Sequence, residues 1–128
     1  MRTGKITVNE KEYLLCFSAK VILSCSNRYG NVDGIWKKLS SDSEAEVLTE
    51  TFWLLSEMMD AGASYAKLTG IDNPKPLTEE ELLVLVDLSD LANLKAKIFE
   101  TVSNGTERTV ETEADTADAK NAETTQQN

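Results

Sequence analysis

The sequence predicts an α+β domain, predominantly helical, in which an N-terminal two-stranded β-hairpin packs on four to five helices and an acidic C-terminal tail stays disordered. Three observations predict it. Residues 5–17 alternate with the two-residue period of strands. From Ser18 to Val102, apolar residues recur at three- and four-residue intervals, broken by glycine and proline. Beyond Gly105, Val110 is the only sizeable apolar residue. Since 128 residues suit one domain, the expected division is a hairpin-plus-helices domain over residues 1–105 and a disordered acidic tail over residues 106–128.

In the hairpin, Ile6 and Val8 alternate with Lys5 and Thr7, while Tyr13, Leu15 and Phe17 share one side and Leu14 and Cys16 the other. Asn9 tolerates positive φ and starts the turn. Ser18 offers an N-cap to a first helix carrying Ile22, Cys25 and Tyr29 on its apolar side, and Gly30-Asn31 marks its stop. Val32 to Leu39 reads as a short helical turn with Ile35, Trp36 and Leu39 inward and Lys37 and Lys38 outward; at that length it depends on packing.

The longest helix starts at Ser43, with Glu46 at capping-box spacing, and runs to about Leu68 before Gly70. Leu48, Phe52, Leu55, Met59 and Ala66 form one stripe; Val47, Leu54, Met58, Ala61, Tyr65 and Leu68 form a second. Apolar over more than half its girth, it should be the central helix. Pro74 and Pro76 make 71–77 a loop. Thr78 and Glu81 form a capping box, with Leu77 and Leu82 at the positions of a hydrophobic staple. Leu82 to Leu88 follow, then Ser89-Asp90, then Leu91, Leu94, Ile98, Phe99 and Val102; Ser89 either caps a separate last helix or lies within a continuous one.

The net charge of −9 is uneven. Residues 1–76 hold nine Lys/Arg and ten Asp/Glu; residues 77–105 and 106–128 each hold two and six. An acidic second half opposes binding to a phosphate backbone, where affinity comes from cations displacing counterions. No nucleic-acid partner is therefore expected. No membrane partner is expected either, since no run approaches the roughly 20 apolar residues of a spanning helix and nothing resembles a signal peptide.

Catalytic, cofactor-binding and metal-binding residues are all expected to be absent, and the protein is read as non-enzymatic. The chain has no histidine, and no P-loop or G-x-S-x-G motif. Glu79, Glu80 and Glu81 read as first-turn acids complementing a helix dipole, and Asp87 and Asp90 as surface acids. Cys16 and Cys25 are expected to be buried and reduced. Two features point to partner binding. Trp53 falls on the polar side of the long helix with Glu46, Glu50, Glu57 and Asp60, so either the hairpin or the Trp36 segment folds over it or it is an exposed anchor. Met58 and Met59, near Gly62 and Ala63, form either an adaptable groove or core at a close helix crossing. With Leu83 and Leu85 of the leucine-rich region, Trp53, Met58 and Met59 are the candidate partner-binding residues.

The hairpin, the Arg28-Tyr29-Gly30 helix ending, the long helix, the proline loop and the acidic tail together resemble a small tail assembly chaperone of long-tailed phages, as found in prophages of Gram-positive bacteria. The resemblance covers about residues 1–105. Members commonly have Gly in the hairpin turn where this chain has Glu10. What it implies is a protein of the host cytoplasm, without cofactors, that coats the hydrophobic tape measure protein and gives way to tail tube protein. Self-association into a curved array would suit such coating, though no residue marks it. It also implies a longer product by ribosomal slippage, for which Ala119-Lys120-Asn121 offers a codable site. Two other readings remain: an acidic nucleic-acid mimic inhibiting a host DNA-binding enzyme, and a small oligomeric regulator.

Overall fold

The computed structural model describes the backbone of residues 3–114 and the side chains of residues 3–104. A two-stranded antiparallel hairpin, β1 (Thr3–Val8) and β2 (Lys11–Cys16), leads into α1 (Ala19–Tyr29), α2 (Gly34–Leu39), α3 (Glu44–Thr69), α4 (Glu79–Leu85), a 3-10 turn (Leu88–Asp90) and α5 (Leu91–Ala114). Val8 pairs with Lys11 across the two-residue turn Asn9-Glu10, and the register continues to Thr3 opposite Cys16. Both turn residues have positive φ, 51° and 68°, as a type I′ turn requires. Asparagine tolerates this conformation; glutamate is less suited to it.

The alternation read from the hairpin orients it correctly. Ile6, Val8, Tyr13 and Leu15 are buried on one face while Lys5, Thr7 and Glu12 stay exposed. Under that face lie two helices: α3 packs on β2 and α5 on β1. Gly62 makes the first contact possible, since a Cβ there would overlap the Leu14 carbonyl. Gly4 does the same against Thr101 of α5. The small-residue stretch of α3 thus admits a strand, and not the groove or the helix crossing that the sequence leaves open.

As expected of the central helix, α3 touches β2, α1, α2 and α4. Thr51, Phe52, Leu54, Leu55, Met58, Met59, Ala61, Gly62 and Ala66 are buried. Leu68, placed in an apolar stripe by its spacing, is instead 87% exposed, in a last turn where Lys67, Thr69 and Gly70 are exposed as well. The Thr51 hydroxyl is buried without a hydrogen-bond partner among the described residues.

Helix ends follow local chemistry closely. Gly30 and Gly70 adopt left-handed φ values of 92° and 76° at the ends of α1 and α3, a conformation that glycine supplies without a Cβ penalty. At α4 both halves of the capping box form: Thr78 Oγ1 accepts from the Glu81 amide at 3.1 Å, and the Thr78 amide donates to Glu81 Oε1 at 2.9 Å. Only half forms at α3. Ser43 Oγ accepts from the Glu46 amide at 3.2 Å, but the Glu46 carboxylate turns to Lys38 Nζ at 2.8 Å. Ser18 occupies the N-cap position of α1 without a side-chain capping bond.

After Leu85 the chain turns extended at Val86 and passes through the 3-10 turn that contains Ser89. This settles the alternatives left open by the sequence: α4 and α5 are separate, and Ser89 caps neither. The backbone of α5 is helical to Ala114, past the boundary expected at residue 105. The rest of the expected tail, including Ala119-Lys120-Asn121, lies outside the described residues. No helix among the described residues is long and apolar enough to cross a membrane.

Candidate partner-binding surface

Of the residues nominated from the sequence, the structure leaves Leu83 and Leu85 open, half-covers Trp53 and buries Met58 and Met59. The two methionines are therefore corrected from partner-binding candidates to core. Their thioethers sit where α3 meets the rest of the fold, and flexible side chains fill irregular core space well.

Trp53 is partly covered, and its ring contacts are with the end of α1. The Tyr29 ring stands perpendicular to the indole at a centroid distance of 5.7 Å, and the Arg28 guanidinium lies 4.5 Å above the ring. Arg28 also forks onto Glu50, with Nε 3.0 Å from Oε1 and Nη2 3.1 Å from Oε2, and the Tyr29 hydroxyl donates to Glu50 Oε1. The cluster is thus a polar and aromatic clasp between α1 and α3. Cation–π and bidentate contacts of this kind favour arginine over lysine. Trp36 has its own partner, Phe99 of α5, at 5.2 Å.

The electrostatics of the clasp follow from its geometry. Burial alone would raise the Glu50 carboxyl, but hydrogen bonds from Arg28 and Tyr29 outweigh it and hold the group below the usual carboxylate value. Burial and the Glu50 carboxylate push the Tyr29 hydroxyl up, and Arg28 is pushed up chiefly by its bonds to Glu50. Burial also raises Cys16, against a hydrogen bond with Ser18. Burial, with help from Glu57, pushes Cys25 up to about 11. These shifts keep each group in its ordinary charge state at neutral pH. Among the described residues, no group of three or more Cys, Asp or Glu side chains is placed to hold a metal ion.

The open surface lies at α4. Leu82 points inward and is buried, while Leu83, Val84 and Leu85 are 48%, 80% and 42% exposed. Two turns of helix with one packed side cannot cover four consecutive apolar residues. Leu83 joins Leu48, Phe52, Val86, Leu88 and Leu91 around an apolar groove of about 230 Å³ between α3, α4 and the start of α5. Leu83 was legible from the sequence as a candidate. Leu88 and Leu91 were not, because the break at Val86 that turns them toward Leu83 has no strong sequence signal. Leu85 faces a second groove, of about 430 Å³, between β1 and α5.

No protein-family model, curated protein or solved structure matches this chain.

Proposed function

We propose that this protein is a non-enzymatic tail assembly chaperone of a long-tailed phage or prophage, acting in the host cytoplasm. On this reading, the α3–α4–α5 groove receives an amphipathic helix of the tape measure protein, which later passes to tail tube protein. The observation that carries the reading is the groove itself, with Leu83 and Leu88 at its rim and Val84 exposed beside it. Helix-in-groove binding uses a hydrophobic trough of this kind, and contiguous exposed apolar surface marks an interaction site. The sequence resemblance set out above supplies the client.

The charge pattern favours this reading over nucleic-acid mimicry. A mimic presents carboxylates in an unbroken track, whereas acids of α3 alternate with bases from α1 and α2: Lys20 with Asp60 at 3.0 Å, Arg28 with Glu50, Lys38 with Glu46. An acidic surplus still serves a chaperone by keeping a sticky surface dispersed.

Co-expression with the tape measure protein of the same phage genome tests the proposal. The client should become soluble with this protein and lose that protection with the Leu83→Glu variant. A client equally soluble with and without the protein overturns the function. A client protected by wild type and Leu83→Glu alike overturns only the groove.

A further inference from the structure

The hairpin has two edges, and they are treated differently. In a hairpin closed by a two-residue turn, Val8 and Lys11 exchange hydrogen bonds, as do Ile6 with Tyr13 and Gly4 with Leu15; the pairs between them point their backbone groups outward. On β2 the outward amide of Leu14 is satisfied by Asn73 Oδ1 at 2.9 Å, from the proline loop. On β1 the outward Thr3 carbonyl accepts from Asn104 Nδ2 at 3.3 Å. The outward backbone groups of Lys5 and Thr7 have no partner among the described residues. An open strand edge of this kind is a template for another chain.

Beside that edge runs the second groove, floored by Leu85, Val86 and Leu94 and flanked by charged residues. Because Thr101 abuts Gly4 and Asn104 bonds Thr3, α5 runs opposite to β1. Lys97 therefore lies toward Lys5, and Asp90 lies toward Val8 and the turn. Lys5 and Lys97, with Glu12 beside Lys5, mark one end of the groove, and Asp90 marks the other. The existing pairs of these lysines, Lys5 with Glu12 at 3.9 Å and Lys97 with Glu100 at 3.4 Å, are more than half exposed. Such pairs hold their lysines weakly.

We infer that β1 is a β-augmentation site for an extended peptide segment of a partner, added antiparallel along Lys5–Thr7. The fitting segment has apolar side chains at alternate positions for the Leu85, Val86 and Leu94 floor, a basic residue leading toward Asp90, and an acidic residue trailing toward Lys5 and Lys97. Backbone hydrogen bonds supply affinity in this mode and alternate side chains supply specificity. The inference does not depend on the chaperone reading.

The probe is a capped heptapeptide, Lys-Thr-Val-Thr-Val-Thr-Glu, whose Lys, Val, Val and Glu share one strand face, added to the full chain while amide exchange is followed by NMR. Exchange at Lys5 and Thr7 should slow by about ten-fold or more at saturation. The same peptide N-methylated at alternate residues should have no effect, and the charge-reversed peptide should bind at least about three-fold more weakly. Thr7→Pro removes an outward amide that the hairpin does not use, so it should keep its Tm and lose the peptide response. Should that variant not fold, Lys97→Glu must weaken the original peptide and strengthen the reversed one. Unchanged exchange at Lys5 and Thr7 with the peptide bound overturns the site. A doubled mass, with those amides already protected in the peptide-free protein, overturns the peptide assignment in favour of a second copy.

Discussion

The middle of α3 and the body of α4 are comparably apolar in sequence, yet they end in opposite environments. Leu54, Leu55, Met58 and Met59 of α3 are all fully buried, whereas of Leu82, Leu83, Val84 and Leu85 only the first is. The difference comes from neighbours. Around α3 lie a strand and three helices, while α4 packs chiefly on α3. A run of leucines therefore says how much apolar surface exists and leaves open how much of it will be covered. The half that is covered supplies stability; the half left open is where binding free energy remains available.

The sharpest way to break this comparison is at Gly62. A Cβ there would overlap the Leu14 carbonyl, which is backbone and cannot swing aside. Gly62→Ala should therefore cost about 3 kcal/mol or more, by forcing α3 off β2. Thermal unfolding of the purified variant would measure it. A loss under 1 kcal/mol would mean the hairpin is not clamped to α3 as described.

Next in size is the contrast within α4. Leu82→Ala should cost about 2–4 kcal/mol, as truncation of a fully buried leucine does. Val84→Ser should stay within about 0.5 kcal/mol of wild type, because its side chain already faces water. Urea denaturation of the pair gives both numbers. Equal losses would show that Val84 is covered in solution, as it would be in a self-associated protein.

A smaller effect is expected at the clasp on the rim of the packed half. Glu50→Gln should cost about 1–2 kcal/mol at pH 7, since the side chain accepts charge-assisted bonds from Arg28. The sign of its pH dependence follows from the direction of the shift. A carboxyl held below its ordinary value of 4.5 contributes fully above that pH and loses its contribution as pH falls through the folded value. The gap between wild type and Glu50→Gln should therefore be full at pH 7 and narrow below about pH 4.5. A gap that widens on acidification contradicts the assignment.

How much of this was legible in the sequence depends on how local the determinant is. Thr78 with Glu81, Gly30 and Gly70 announced helix ends because capping involves residues three or four apart. The two stripes of α3 announced a central helix for the same reason. Determinants set by distant residues were not legible. The sequence places Gly62 near either a groove or a close helix crossing, because it does not say that β2 arrives there. The Arg28 and Tyr29 contacts of Trp53 were not anticipated, because those residues lie more than twenty positions away on another helix. The open groove at Leu83 and Leu88 depends on a chain break at Val86 that neither glycine nor proline marks.

Two places inside the packed half carry residues at odds with their surroundings, and they give the smallest predictions. Thr51 places a hydroxyl in the core without a partner among the described residues. Thr51→Val removes that polar group at nearly constant shape and should raise stability by about 1 kcal/mol. Glu10 holds a φ of 68° in the hairpin turn, a left-handed conformation that glycine reaches without the Cβ clash. Glu10→Gly should add about 0.5 kcal/mol, the relief of strain being partly offset by greater chain freedom in the unfolded state. It should leave the exchange of the Tyr13 and Leu15 amides ranked as before, since the register is held by the buried face and not by the turn alone. If Glu10→Gly instead lowers the Tm, the type I′ turn is not the conformation the hairpin keeps in solution, and the open edge at Lys5 and Thr7 loses its geometric basis.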